Sequence, residues 1–506
     1  MINTNNSRKQ IGIGAVLSYV SIGVNILAGL IYTPWMIRTI GKSDYSLFTL
    51  ANSLITMFLV DFGLSAATAR FVAIYKAEGD QEKVNNFLGM VYKLYFIVDT
   101  ILFVVLTGIF LMLSRIYVSL TAEEIQKLKV VYLIAAGYSV ISFPFVTLNG
   151  ILSAYEKFIQ IKLADLLYRF LVVGLMVASL LKGYGLYAIV IVNATAGLIV
   201  ILYKLIVIHK MTPVRVNFRY NNKSLLKQIF NFSIWVTINT LTQRLIFNIT
   251  PSILGIVSNS SEIAIFGIVT TIEGYVYILT SAINGMFLSK ISQINLSENS
   301  NELLTTLMVK VGRFQFGLNA LILGGFIVVG DHFIRLWMGS DYSKAYIGIL
   351  LVLIPGLFFN SLQIANTTII VRGKVKMQAI VGLIVGIINV TVSFYISKSY
   401  GAVGACFSIF VAYTIRTILY ILIDDRVLGF NMRRFFNDCY LKMFPPFVGI
   451  VLCGFVLNQL FITISWIEIV AKAVVLVLVY IISLTMFSLT RTERKIILDK
   501  IRCVTK

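Results

Sequence analysis

Apolar residues along this chain neither alternate in the manner of a strand nor keep to one stripe of a helix. They come in runs of about 20 residues, long enough to carry a helix through some 30 Å of hydrocarbon. Short polar connectors separate the runs. The pattern predicts helices at 11–37, 46–74, 86–113, 128–153, 159–181, 184–208 and 228–256 in the first half. In the second half it predicts 263–289, 303–330, 345–371, 375–397, 401–423, 441–461 and 465–489. The fold class read from the pattern is therefore all-α integral membrane, with about fourteen transmembrane helices. The apolar stretch after Arg8 and Lys9 has no small-x-small cleavage site at its end and reads as a retained first helix.

Composition sharpens this picture. Of 506 residues, 58% are hydrophobic and 13% charged, with a mean hydropathy of +0.89. A soluble domain carries about 25% charged residues, so most soluble enzyme classes are excluded. The predicted outer loops are all short, which argues against a membrane enzyme of sugar transfer, because such an enzyme needs a sizeable acceptor loop. A net charge of +21, from 43 Lys and Arg against 22 Asp and Glu, could in principle point to nucleic acid. Sorted by loop, most of the basic residues fall on the side that also holds both termini, notably Lys210, Arg215, Arg219, Lys223 and Lys227 in the central connector and Arg491, Arg494, Lys495, Lys500, Arg502 and Lys506 in the tail. That asymmetry is the positive-inside signal and puts both termini in the cytoplasm. Topology thus accounts for the charge, and no nucleic-acid partner is expected. Cys406, Cys439, Cys453 and Cys503 lack ligand spacing, and His209 and His332 stand alone, so no metal site is expected.

The two halves repeat. An offset of 216 sets Lys182-Gly183-Tyr184-Gly185 on Lys398-Ser399-Tyr400-Gly401 and the Asn149 to Phe158 segment on Ala365 to Lys374. The agreement divides the chain into an N-lobe at 1–208 (helices one to six), a basic cytoplasmic connector at 209–224, a C-lobe at 225–424 (helices seven to twelve), and two added helices with a basic tail at 425–506. Six helices per repeat give both lobes one orientation, so a pseudo-two-fold axis along the membrane normal is expected, with the substrate path between lobes.

Gly41-Lys42-Ser43 resembles the end of a P-loop, but Met36 stands where that motif needs its first glycine. Gly382 and Gly386 form a small-xxx-small face suited to helix packing. Ionisable residues at membrane depth say more, since each costs a few kcal/mol unless it meets a partner or a wet cavity. Asp61, Asp99, Arg169, Arg244, Glu273, Arg313 and Arg416 all fall within predicted helices. Arg244 could pair with Glu273 on the adjacent helix, and Asp165 with Arg169 at i, i+4. Lys472, near the outer interface, is expected to snorkel. No basic residue stands within a turn of Asp61, and Arg70 lies on the opposite side of an ideal helix unless Gly63 bends it.

Tyr32-Thr33-Pro34, Arg38-Thr39-Ile40-Gly41, Asp44-Tyr45-Ser46-Leu47-Phe48 and Asp61-Phe62-Gly63-Leu64 with Ala69-Arg70 resemble the N-terminal signature of Wzx-type polysaccharide and O-antigen flippases. These belong to the multidrug/oligosaccharidyl-lipid/polysaccharide exporter superfamily. This chain departs from the family's Tyr-Gly-Leu-Tyr at Tyr45-Ser46-Leu47-Phe48. The resemblance implies a transporter and not an enzyme, in the bacterial inner membrane, that moves an undecaprenyl-diphosphate-linked oligosaccharide to the outer leaflet by alternating access. It implies no cofactor beyond H⁺ or Na⁺ as coupling ion, and a polysaccharide polymerase and a chain-length regulator as companions. On this reading Arg244, Arg313, Arg169 and Arg416 are candidates to hold the diphosphate through planar, forked donors. Asp61, Asp99 and Glu273 are candidates for ion coupling or gating. A lipid II flippase and a multidrug exporter are the alternatives within the superfamily.

Overall fold

The computed structural model describes residues 4–59, 61–281, 287–460 and 465–488; the basic tail at 491–506, with Cys503, lies outside them. Among the described residues the chain is helical and contains no strand. In hydrocarbon only a helix, or a closed barrel, pairs every backbone group. The helices are α1 (Thr4–Ile40), α2 (Lys42–Phe58), α3 (Leu64–Ala77), α4 (Gln81–Ile116), α5 (Ala122–Ser142), α6 (Thr147–Ala154), α7 (Phe158–Leu181), α8 (Leu186–Met211), α9 (Lys223–Gln243) and α10 (Thr250–Val257). They continue as α11 (Ser260–Ser281), α12 (Leu288–Ile294), α13 (Ser300–Met338), α14 (Lys344–Phe359), α15 (Gln363–Val371), α16 (Val375–Arg426), α17 (Met432–Phe435), α18 (Lys442–Leu460) and α19 (Trp466–Ser483).

Among the described residues ten helical stretches are long and apolar enough to cross a membrane. The longest, α16, turns at Gly401 (φ 54°) and so makes two passes. Together with α1 and the interrupted pairs α2/α3 and α9/α10, the described residues supply fourteen passes, as the hydrophobic pattern predicts. Side chains such as Leu111, Val118, Leu181 and Ile467 are largely exposed, which a soluble surface does not tolerate in such numbers and a lipid-facing belt requires.

The chain forms two compact units. Unit 1 holds residues 1–267 and 382–401, and unit 2 holds 268–381 and 402–506. The expected repeat is visible in the elements of each. A 3₁₀ turn, Phe143–Val146, joins α5 to α6, and another, Asn360–Leu362, joins α14 to α15, an offset of 217 from Phe143 to Asn360. The turns that follow match in hydrogen bonding. Lys157 N donates to Leu152 O at 2.9 Å, and Lys374 N to Ile369 O at 3.0 Å, each around a left-handed residue, Glu156 or Gly373.

Packing within each unit relies on small residues at helix crossings. In unit 1 a Cβ on Gly150 would stand 2.5 Å from Ser65 O, so α6 lies directly on α3, and Thr68 and Thr147 share a hydrogen bond of 3.0 Å there. Gly382 and Gly386 fit against Thr242 and Leu245, the packing role their spacing suggests. In unit 2, Gly324 and Gly454 let α13 and α18 close on each other through Ile450 and Val328. Helix starts are capped where the sequence permits. Thr121 and Glu124 form a capping box on α5. Asp80 caps α4 by accepting from Lys83 N at 2.9 Å, and that backbone donor holds its carboxyl below the ordinary range.

Two pairings differ from expectation. Asp165 pairs with Lys162 at 3.2 Å, one turn earlier, and Arg169 turns instead to the carbonyl of Asn25. Lys472 does not snorkel. It is 1% exposed, 2.7 Å from the buried Glu468, and it donates to Asn458 Oδ1 at 2.9 Å. Asn458 in turn donates to Val328 O at 3.1 Å, so the ion pair joins α19 to α18 and α13. A partner one turn away on the same helix is nearer to this ammonium than the interface is.

Removing one member of such a pair leaves a buried charge, at a cost of about 3–5 kcal/mol, whereas replacing both by apolar residues is neutral or stabilising. Lys472→Met should therefore lower the melting temperature of the purified protein sharply. The double variant Glu468→Leu, Lys472→Met should return it to at least the wild-type value; thermal unfolding in one detergent compares the three.

Candidate functional site

Two constellations gather the ionisable residues, one in each unit. In unit 1 the second pass is interrupted, against the prediction of an unbroken helix over 46–74. The chain leaves α2 at Phe58 and resumes at Leu64, through Phe62 (φ 51°) and Gly63 (φ 67°). A positive φ at phenylalanine is uncommon and is strained backbone of the kind that collects at functional sites. Asp61 turns the corner, its Oδ1 accepting from Gly63 N at 3.0 Å.

Opposite this break the seventh pass has a defect of its own. Pro251 has no N–H to give to Phe247 O, and the helix opens into one π turn over Arg244–Asn248. Ile249 N reaches back to Arg244 O at 3.0 Å. The carbonyls loosened by the two breaks are met by side chains. Arg244 Nη2 donates to Leu59 O at 3.3 Å, Ser53 donates to Asn248 O, and Asn248 Nδ2 donates to Thr56 Oγ1 at 3.0 Å. The fully buried Asn389 gives its amide to Leu245 O at 3.1 Å and Ile246 O at 3.2 Å. Arg244 is half-buried, with Asp61 close enough to act on its charge. Helix interruptions of this kind, placed face to face, are how membrane transporters bring backbone and side-chain polar groups to a substrate.

Arg169 and Asp99 belong to the same unit but stand elsewhere in it. Arg169, on α7, donates from Nη2 to Asn25 O of α1 at 2.9 Å, with Tyr32 in electrostatic range. Asp99 lies within α4, and its Oδ1 is buried with no hydrogen-bond partner among the described residues.

Unit 2 holds Glu273 on α11, Arg313 on α13 and Arg416 on α16. Arg313 donates to Ser488 O and senses Asp438. Arg416 is 1% exposed. Its guanidinium carbon lies 4.0 Å from the ring centre of Phe359 and 3.9 Å from that of Tyr413, with Tyr420 at 6.0 Å. Among the described residues the Nε and Nη2 donors of Arg416 have no hydrogen-bond partner. Glu273 acts electrostatically on the same Tyr277 and Tyr413 as Arg416 does, so the two are near neighbours. Asp424 joins this group from two turns further along α16, its carboxylate fully buried and its oxygens without a hydrogen-bond partner among the described residues. Arg244 and Glu273 therefore fall in different units.

Hydropathy points to neither Asp424 nor the polar set Ser53, Thr56, Asn248 and Asn389. The signals that were available are the Asp61-Phe62-Gly63 turn sequence and the proline at 251. Among the described residues no group of His, Cys, Asp and Glu is arranged to hold a metal ion.

A search among curated proteins gives no match. Among solved structures, the lipid II flippase MurJ in an inward closed conformation is similar over 94% of this chain and 98% of its own, with a TM-score of 0.74 and 15% identity. An inward-facing multidrug resistance transporter of the MATE family, in the MOP superfamily, matches over 82% of this chain and 98% of its own, with a TM-score of 0.66 and 12% identity. A MOP superfamily transporter from Pyrococcus furiosus matches over 84% and 95%, with a TM-score of 0.63 and 14% identity. At such identities the likeness establishes a shared fold. The family described as polysaccharide biosynthesis protein matches residues 12–290, more than half of the sequence. With the interrupted helices of unit 1 inside that span, this multi-pass membrane protein belongs to the polysaccharide biosynthesis protein family.

Proposed function

We propose that the protein is a flippase that moves a polyprenyl-diphosphate-linked oligosaccharide, the repeat unit of a surface polysaccharide, from the cytoplasmic to the outer leaflet. The observation that carries this reading is Arg244, a half-buried guanidinium at a helix defect facing a second defect. Among the described residues, one of its five donors is committed, to the backbone at Leu59. A forked cation at the edge of broken helices suits the oxygens of a diphosphate. The sugars and the diphosphate cannot cross hydrocarbon unaided, whereas the polyprenyl chain can stay in lipid while the head group passes. Arg313, Arg169 and Arg416 are further contacts in this proposal, Arg416 after Phe359 and Tyr413 part from it.

Asp61, Asp99 and Glu273 are the groups assigned to ion coupling. One charge crossing 100 mV releases about 2.3 kcal/mol, enough to bias a conformational cycle. In this scheme a polymerase uses the delivered unit outside the membrane, and the protein itself makes no covalent bond. The lipid II head group is the second reading, favoured by the likeness to MurJ over 94% of this chain.

Losing a charge-assisted contact of about 1.5–3 kcal/mol should slow export about 10- to 100-fold. Cells whose only copy is Arg244→Ala should accumulate lipid-linked oligosaccharide on the inner leaflet and lose surface polysaccharide. Normal surface polysaccharide would remove Arg244 from the mechanism, and accumulation of cell-wall precursor with lysis would favour lipid II. A second comparison separates charge from turn at Asp61. Asn keeps an oxygen for Gly63 N, so Asp61→Asn should melt like wild type yet fail to export. Asp61→Ala should also lose about 1 kcal/mol of stability with the side-chain bond; full export by Asp61→Asn would remove Asp61 from coupling.

A further inference from the structure

Away from the helix breaks, unit 1 contains a cavity of about 240 Å³ where the central connector meets the first turns of α4 and α9. The connector is not slack. Asn217 N donates to Asn85 O at 3.1 Å and Arg215 N to Asn85 Oδ1 at 2.8 Å, and Asn217 Nδ2 donates to Asn86 Oδ1 at 2.7 Å. Lys93 Nζ holds Tyr220 O at 3.0 Å and Asn221 Oδ1 at 2.7 Å. Gly89 makes the contact possible, since a Cβ there would sit 1.8 Å from Asn217 O. One wall of the cavity is therefore a strap fixed by side chains of α4.

The lining combines the rings of Tyr75, Phe87 and Tyr220 with the amides of Asn86 and Asn222. Tyr75 and Phe87 stand edge to face, 6.0 Å apart. Lys83 also lines it, but Glu78 at 3.2 Å and Asp80 at 3.3 Å neutralise that ammonium. An anion would find little net positive charge here. Aromatic faces beside neutral hydrogen-bonding groups are the chemistry that takes a hydroxylated ring, apolar on its C–H face and polar at its rim. The volume admits one such ring and little more.

We infer that this cavity is a saccharide-binding subsite that receives one sugar ring on the connector side of the membrane. The inference rests on the flippase reading only for the origin of the sugar, which that reading supplies as the head group of the lipid-linked substrate before it moves between leaflets.

Purified protein in nanodiscs would be probed by saturation-transfer NMR with a panel of free monosaccharides and, separately, inorganic pyrophosphate. At least one monosaccharide should bind; Tyr75→Phe, which keeps the ring, should weaken it about 3- to 10-fold, the worth of one neutral hydrogen bond. Tyr220→Ala should abolish binding and Arg244→Ala should leave it unchanged. Absence of any saccharide signal, a signal indifferent to Tyr75→Phe and Tyr220→Ala, or displacement of the sugar by pyrophosphate would overturn the inference. Export separates the two sources of sugar: cells with Tyr75→Phe should lose surface polysaccharide when precursor is scarce if the ring belongs to the lipid-linked substrate, and keep it if a free sugar is bound. Normal export by Arg244→Ala cells beside intact saccharide binding would sink the flippase assignment of Arg244 and leave the subsite standing.

Discussion

A backbone carbonyl left without a donor in hydrocarbon costs several kcal/mol, and the shape of unit 1 depends on how that constraint is met. Two passes of unit 1, α2/α3 and α9/α10, open their helices, and their loose ends are paired with each other. The end of α2 at Leu59 uses Arg244, the π turn of Arg244–Asn248 uses Ser53 and Asn389, and Asn248 reaches Thr56. Neither interruption would be tolerated alone. Held together they put a cation, a carboxylate and several amide and hydroxyl groups in one polar neighbourhood, which is what a charged head group needs from a membrane protein.

Unit 2 treats its charges differently. Arg416 is covered by aromatic rings on either side, where the attraction between cation and ring face replaces some of the lost hydration. Glu273 stands within electrostatic range of Tyr413 and Asp424 within range of Tyr420, both tyrosines near Arg416. The Glu468 and Lys472 pair holds α18, α19 and α13 together and offers no free valence of that kind. Buried charge in this chain thus serves two ends, one exposed to exchange of partners and one that fixes helices.

The connector shows the same economy at the aqueous face. Its Arg215 and Arg219 are exposed, while Arg215 N and Asn217 N are tied to Asn85 and the Asn217 side-chain amide to Asn86. A segment that looks from composition like a linker is an ordered wall of unit 1.

Run length and charge asymmetry were enough to determine a fourteen-pass helical membrane chain, because burial in hydrocarbon acts on composition over about 20 residues and needs no tertiary detail. The break at Asp61-Phe62-Gly63 was hidden by the apolar residues around it, although Asp-x-Gly is a turn sequence, and the π turn was hidden in a helix whose only outward sign is Pro251. Two local expectations gave way to another neighbour on the same helix: Asp165 pairs with Lys162 and not with Arg169, and Lys472, expected to snorkel, pairs with Glu468 one turn earlier. Which groups meet is decided by the crossing of helices distant in sequence, and for Asn389 with Leu245 or Arg244 with Leu59 only tertiary structure brings donor and acceptor within reach.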